Sequence, residues 1–364
     1  YLRNEGYTKS ISKEKNNKFL KSLELLKQAK EIIPSASQTY SKSYKYFCEG
    51  VAPAFLERGE KGHVWDVDGN EYIDFVCALG PVIIGYNNQE INGAIKKQLE
   101  KGISFTLPTE LEIKLAKKLI KIIPSAEMVK FVKNGSDATT TAIRLARAYT
   151  NKEIVACSGY HGYHDWYIGT TENDKGVPEC VKKLTKVFEY NNLDSFKKIL
   201  EENKNQLAAV ILEPLQGNGP KDNFLENIKS LCEKNGIVLI FDEVVSGFRT
   251  RLGGAQEYYN VIPHLTCIGK GISNGASVSA IVGKKEIMKL IDEEVFVSTT
   301  FGGETLPLAA ALKTIEILER QGSIEKIWYL GNSWMNQAKK LILEKGLEKV
   351  VEIVGLPPHC GVIF

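Results

Sequence analysis

The first clear periodicity lies in NNKFLKSLELLKQAKEIIP, where Phe19, Leu20, Leu23, Leu26 and Ala29 recur on one stripe. That spacing predicts an amphipathic helix ending near Pro34, read as a docking arm. The period then shortens: GHVWDVDGNEYIDF alternates apolar and polar residues about Asp68-Gly69-Asn70, which predicts a β-hairpin. Further on, the apolar runs EMVKFV, EIVAC, LAAVIL, GIVLIF and HLTCI stand among helical patterns such as DATTTAIRLARAYT and FLENIKSLCEKNG. Continuous apolar strands separated by helices predict an α/β fold: a mostly parallel central sheet with helices on both faces. From LPLAAALKTIEILER onward the pattern is helical, with a strand in VVEIVG, which predicts a smaller α+β domain. The expected division is an N-terminal arm at 1–50, a large domain at 51–310 and a small C-terminal domain at 311–364.

Composition narrows the function. The chain has 364 residues, 43% hydrophobic and 25% charged, enough for one large core and a smaller one. Lys plus Arg number 47 against 44 Asp plus Glu, and there is no like-charge run or basic-aromatic stripe, so neither nucleic acid nor a membrane surface is an expected partner. LAAVIL and IVLIF fall short of the ~20 residues of a spanning helix, and no signal-peptide pattern opens the chain. Seven cysteines without a C-x-x-C pair favour reduced thiols, and the expected location is cytoplasmic. A start at Tyr1 and a stop at CGVIF, in the middle of a strand pattern, lead us to expect a trimmed chain with an incomplete small domain.

In an open parallel sheet, ligands bind beyond the carboxyl ends of the strands. After MVKFV comes KNGSDATTTAIRLARA, where Gly135 and Ser136 open a helix whose free N–H groups suit a phosphate. Taken alone, the same residues read as an ordinary N-cap by Ser136 or Asp137. After GIVLIF comes Asp242-Glu243, which could cap a turn or meet Arg249 or Arg251. After HLTCI comes Lys270 between Gly269 and Gly271; taken alone it is a solvated lysine. Together the three meet the needs of pyridoxal phosphate: an anion cradle, a carboxylate that keeps the ring nitrogen protonated, and an amine for the aldehyde. Lys270 would then form the resting Schiff base and, once displaced, carry a proton between carbons. Tyr160 could lie on the ring with His161 beside it. His161 and His164 could instead suggest a metal, but no third ligand has a natural spacing to them, and no metal is expected. Glu213, closing VILEP, either serves the site or caps a turn before Pro214.

The segments PAFLERGEKGHVWDVDGNEYIDF, TLPTELEIKLAKKL, VKNGSDATTTAIRLARAYT, GYHG, VILEPLQGN, LIFDEVVSGFR, LTCIGKGISNG and STTFGGETLPLAAAL resemble the class III, fold type I pyridoxal-phosphate-dependent aminotransferases. They run in family order from about Pro53 to Leu312, and the likeness is nearest to the glutamate-1-semialdehyde aminomutase group. The resemblance implies a homodimer with active sites at the subunit interface. It implies that Gly135 and Ser136 hold the cofactor phosphate, that Tyr160 and Val244 cover the two ring faces, and that Asp242 holds the ring nitrogen. Lys270 would carry the Schiff base, Thr300 would reach the phosphate of the neighbouring subunit, and Glu213 would match the family's LEP acid. One departure stands out: Tyr44 occupies the place of the arginine that holds the aminomutase's substrate carboxylate. Losing a bidentate clamp argues against that substrate, and Lys42 or Lys45 would be a poorer substitute. SQTYSKS and GYHDWYIGTT resemble a subgroup from surface-polysaccharide and nucleotide-sugar pathways, pointing to a sugar-derived or other polar carbonyl acceptor.

The expected activity is therefore amine transfer from a donor such as glutamate to a ketone or aldehyde. Its rival is an intramolecular aminomutase using the same residues. An oxidoreductase fits poorly, because GKGISNG misses G-x-G-x-x-G by one residue and follows late strands; a P-loop fails because no Ser or Thr follows Lys270. A non-catalytic scaffold is opposed by intact Lys270 and Asp242.

Overall fold

The computed structural model describes residues 17–320 and 322–364, so the part of the expected N-terminal arm before Asn17 lies outside the described residues. Two compact units are present: one runs to Cys77 and includes Ile84–Asn88, and the other comprises Ala78–Ile83 and Gln89–Phe364.

In the first unit, α1 (Leu20–Ile32) starts where the Asp68 carboxylate accepts the N–H groups of Lys21 and Ser22 at 2.8 and 2.9 Å. Its buried stripe is Phe19, Ser22, Leu26 and Ala29; Leu20, expected on that stripe, is 58% exposed. One residue advances a helix by about 100°, so Leu20 cannot share a face with Phe19. Ser22 takes a buried place because its Oγ accepts the N–H of Ala54 at 2.8 Å. Strands β1 (Leu56–Glu60), β2 (His63–Asp66) and β3 (Glu71–Ile73) form an antiparallel sheet in that order. The turn between β2 and β3 closes on Asp66, whose Oδ1 accepts the N–H groups of Asp68 and Asn70 and whose Oδ2 accepts Tyr72 OH.

The second unit begins with helices α2 (Gln89–Leu99) and α3 (Glu110–Ile122), followed by β4 (Met128–Val132) and α4 (Gly135–Thr150). Then come β5 (Ile154–Ser158), β6 (Thr185–Val187), β7 (Leu207–Leu212), β8 (Val238–Glu243), β9 (Leu265–Ile268) and β10 (Ser279–Gly283). The seven strands from β4 to β10 lie in the order β4-β10-β9-β8-β7-β5-β6, parallel except for β10, which runs against β4 and β9. The expectation of a mostly parallel sheet holds, with this one reversed strand.

Two helical layers explain why β7 and β8 are buried at every position. Val155, Cys157, Ala209, Ile211, Val238 and Ile240 pack against Ala138, Ala142 and Leu145 of α4. The alternate residues Ala156, Val210, Leu212, Leu239 and Phe241 pack against Phe196, Phe224 and Ile228 on the other face. The two-residue period sorts them. Helices Thr305–Glu319 and Ser323–Glu344 follow, then an antiparallel pair, β11 (Glu352–Leu356) and β12 (His359–Ile363). Among the described residues no helix is long and apolar enough to cross a membrane.

Candidate active site

The carboxyl ends of β5, β7, β8 and β9 deliver Tyr160 and His161, Glu213, Asp242, and Lys270 to one place in the second unit. The helix N-terminus after β4 delivers Gly135 and Ser136.

At that helix start the N-cap is Asn134, not Ser136 or Asp137; Asp137 completes a capping box, its Oδ2 accepting the Asn134 N–H at 2.9 Å. Ser136 is buried and its Oγ accepts the N–H of Tyr163 at 3.3 Å. Among the described residues no acceptor takes the N–H of Gly135 or Ser136, which leaves two aligned donors at the positive end of a 16-residue helix. Close packing keeps this corner compact. Gly162, at φ +103°, abuts Ser136 so closely that a β-carbon there would collide with its Oγ. A β-carbon at Gly135 would lie 3.0 Å from Val244 Cγ1, so Val244 sits directly beside the donors.

Asp242 is 5% exposed. Its Oδ1 accepts the Val244 N–H at 3.1 Å, and its Oδ2 faces His161 Nδ1 at 2.8 Å. The sequence offered Arg249 or Arg251 as partners; His161 is the residue that meets the carboxylate. On the far side of that ring, Nε2 lies 3.1 Å from Ser158 O. A carbonyl only accepts, so the bond to Ser158 O places a hydrogen on Nε2. Trp166 stacks on the imidazole at 6.2 Å and Tyr167 meets it edge-on at 5.3 Å. His164, the other member of the supposed pair, bonds Thr140 Oγ1 through Nδ1 at 2.7 Å.

The phenol of Tyr160 is raised by burial and by the charge of Asp242, although the residue as a whole is exposed; its ring meets Tyr167 edge-on. Glu213 Oε1 accepts the Tyr160 N–H at 2.8 Å, and burial followed by the charge of Asp242 raises its carboxyl above the usual range. Lys270 adopts φ +40°, a left-handed conformation that a non-glycine residue holds only when its surroundings fix it. Burial first, then Arg249, lowers its amine below an ordinary lysine, while Asp242 and Glu213 oppose the shift. Thr300 does not join this group: it is exposed, in the turn beside a cleft lined by Thr109, Glu112, Phe131, Ser298, Thr299 and Gly302.

The donor set suits a compact group with an anion at one end, a basic ring nitrogen near a buried carboxylate, and a carbonyl within reach of a depressed amine. The aromatic pair Trp166 and Tyr167, and the carbonyl of Ser158, were not anticipated from sequence; the adjacency of Trp166-Tyr167 to the GYHG segment was the available signal.

Comparison with known proteins follows the same lines. The family described as Aminotransferase class-III matches residues 46–356. The 3-aminobutyryl-CoA aminotransferase of Cloacimonas acidaminovorans (strain Evry) is 42% identical over 347 residues, 93% of this chain and 82% of that protein. A glutamate-1-semialdehyde 2,1-aminomutase of Desulforamulus reducens is 39% identical, covering 93% of this chain and 80% of its own. Among solved structures, the pyridoxal phosphate internal aldimine form of the Sphingopyxis sp. MTA144 FumI protein superposes with a TM-score of 0.88 at 27% identity, over 94% of this chain and 82% of that one. An omega-transaminase from Sphaerobacter thermophilus gives 0.86 at 29% identity, with the same coverage.

Proposed function

Because this chain belongs to the class III aminotransferases, whose cofactor is pyridoxal phosphate, we propose that it moves an amino group between two separate molecules through Lys270, to an acceptor that presents no free carboxylate to a clamp. The observation that carries the acceptor half is Tyr44. Its ring packs under Lys30 Nζ at 4.3 Å, and Lys30 is itself paired with Glu49 at 2.8 Å, so neither is a spare carboxylate fork.

Bound pyridoxal phosphate supplies an aldehyde that condenses with amines and a ring that withdraws electrons from the carbon losing its proton. The protein's share is positioning and proton control. Gly135 and Ser136 N–H groups hold the phosphate, Tyr160 and Val244 cover the ring, and Asp242, backed by His161, keeps the ring nitrogen charged. Lys270, its amine depressed, is the nucleophile and later the carrier of the proton between carbons. Glu213, held neutral more readily than a surface carboxylate, is placed to orient the incoming amine.

For the acceptor we put a 3-oxoacyl thioester first. The 42% identical relative is named for 3-aminobutyryl-CoA, whose carboxyl carbon is an uncharged thioester, in keeping with Tyr44. A sugar-derived ketone is the second candidate, on the segments SQTYSKS and GYHDWYIGTT. The test supplies the holoenzyme with nitrogen-labelled glutamate and, separately, 3-oxobutyryl-CoA, a keto-sugar nucleotide and glutamate 1-semialdehyde. Label is expected in the thioester product, with strict dependence on the donor. Isomerisation of glutamate 1-semialdehyde without any donor, at a comparable rate, would show an aminomutase instead.

We also propose a homodimer. Phe105, Leu107, Ile113 and Phe301 are exposed apolar side chains in the segments around the cleft next to Thr300, a surface suited to a second copy whose cofactor phosphate Thr300 would reach. Sedimentation is expected to give about twice the chain's 40.5 kDa; a monomer mass in the cofactor-loaded protein would remove Thr300 from the site. The division into a cofactor-binding domain at 51–310 and a small-domain part at 311–364 belongs to the same proposal, as does a reducing, cytoplasmic location, supported by seven cysteines without a C-x-x-C pair.

A further inference from the structure

One charged side chain beside the lysine has no part in the chemistry proposed above. Arg249, 7% exposed, lies in the loop after β8; its Nε–H donates to Val245 O at 2.6 Å, and its Nη2 donates to Gly80 O. The segment it grips is unusual. Cys77, Ala78, Leu79 and Gly80 take φ values of +51°, +58°, +70° and +92°, four consecutive left-handed residues of which only one is glycine. Such a run persists only where neighbouring groups hold it.

The geometry brings this segment to the lysine. A β-carbon at Gly80 would lie 3.0 Å from Arg249 Nη2 and 3.9 Å from Lys270 Cδ, so the two cationic side chains converge on one α-carbon. At the segment's other end, the Ile83 N–H donates to Asn274 Oδ1 at 2.9 Å, and Asn274 closes the short helical turn Lys270–Ser273. Residues 78–83 are thus tied at one end to Arg249 and at the other to the turn that begins with Lys270.

We propose that Arg249 is a positioning residue for the lysine: gripping the carbonyls of Val245 and Gly80, it holds the left-handed segment against Lys270 and fixes a positive charge close to that side chain. The charged and titratable groups around the lysine are then Arg249 from the loop after β8, Asp242 from β8, Glu213 after β7 and His359 at the start of β12. Arg249 disfavours a proton on the lysine nitrogen and the two carboxylates favour one. His359, its own imidazole lowered by burial and then by Arg249 and Lys270, adds little positive charge near neutral pH. Removing the guanidinium therefore lets the nitrogen keep its proton to higher pH. A lysine in its place retains charge but not the planar fork that reaches two carbonyls.

The inference rests on the reading that Lys270 bears the cofactor, and the experiment separates the two. The band at about 420 nm, which reports the protonated lysine–cofactor link, is titrated against pH in wild-type, R249K and R249Q holoenzyme. The midpoint is expected to move to higher pH in R249Q and by less in R249K, with kcat reduced more than KM is changed. An unmoved midpoint in both variants, with the band intact, overturns the role of Arg249. Should R249Q fail to fold, R249K decides in the same way, by an upward shift or none. A wild-type protein with no borohydride-sensitive band overturns instead the reading on which the inference stands.

Discussion

Lys270→Ala is expected to abolish the borohydride-sensitive band at about 420 nm and to lower amine transfer by at least about 10²-fold, toward the 10⁴-fold end of what a positioned acid–base group supplies. Lys270 combines a left-handed backbone with a partly buried side chain. It opens a short turn directly after the buried strand β9, at φ +40°, and its amine is depressed by burial and by Arg249. The sign of that shift favours reaction: an amine with a lowered pKa sheds its proton at lower pH than a surface lysine and presents a larger neutral fraction near neutrality. Among the described residues around it, Asp242, Glu213 and His161 offer only carboxylates and an imidazole already engaged with Asp242 and Ser158, not a second amine to replace it. The donors of Gly135 and Ser136 remain, so the alanine variant is expected still to bind the cofactor, without the covalent link. Borohydride reduction followed by peptide mass analysis checks this directly: the cofactor mass belongs on the peptide containing Lys270. A band that survives in the alanine variant, or a mass on another lysine, defeats the assignment.

The sheet and much of this site were legible because burial on both faces leaves a plain mark. LAAVIL and VLIF can hardly be anything but inner strands, and in such a sheet the residues just beyond the strands are the candidate ligands, which puts Asp242, Glu213 and Lys270 in view from the sequence. Partnerships were less legible. The charge partners that the local sequence offers Asp242 are Arg249 and Arg251, yet it meets His161, 81 residues away, because β5 and β8 both abut β7 and their carboxyl ends converge. Arg249 was within view for the wrong reason: its true contact is Gly80, 169 residues away, and nothing in the local pattern CALGP announces four left-handed residues in a row. The reversed strand β10 was missed because SAIVG is as continuously apolar as its parallel neighbours; direction is set by pairing with β4 and β9, which periodicity does not encode. Leu20 shows the smaller failure, in which an apolar residue next to a stripe was counted into it, while Ser22 was buried by two backbone donors that no hydropathy pattern reveals.

Asp242→Asn is expected to lower kcat by about 10²–10³-fold while leaving the fold and the lysine-linked band in place. The amide has the shape of the carboxylate. Its oxygen can still accept the Val244 N–H that Oδ1 accepts at 3.1 Å. Its NH₂ would turn toward His161 Nδ1, and that nitrogen can become an acceptor because the ring's other hydrogen is already committed to Ser158 O. Every hydrogen bond therefore has a replacement, and thermal melting should move little. What is lost is the carboxylate's negative charge, together with the hydrogen that Nδ1 gives up to become an acceptor, from a site that is 5% exposed, where a fixed charge acts with little screening. If Asp242 keeps the cofactor's ring nitrogen protonated, that loss falls on the proton-transfer step and on kcat, with a smaller effect on cofactor retention, which depends on Gly135 and Ser136. Stopped-flow measurement of the donor half-reaction in the variant reads this step without the acceptor. A half-reaction as fast as wild type would mean that the Asp242–His161 pair is an element of the fold only, and that the ring nitrogen finds its charge partner elsewhere.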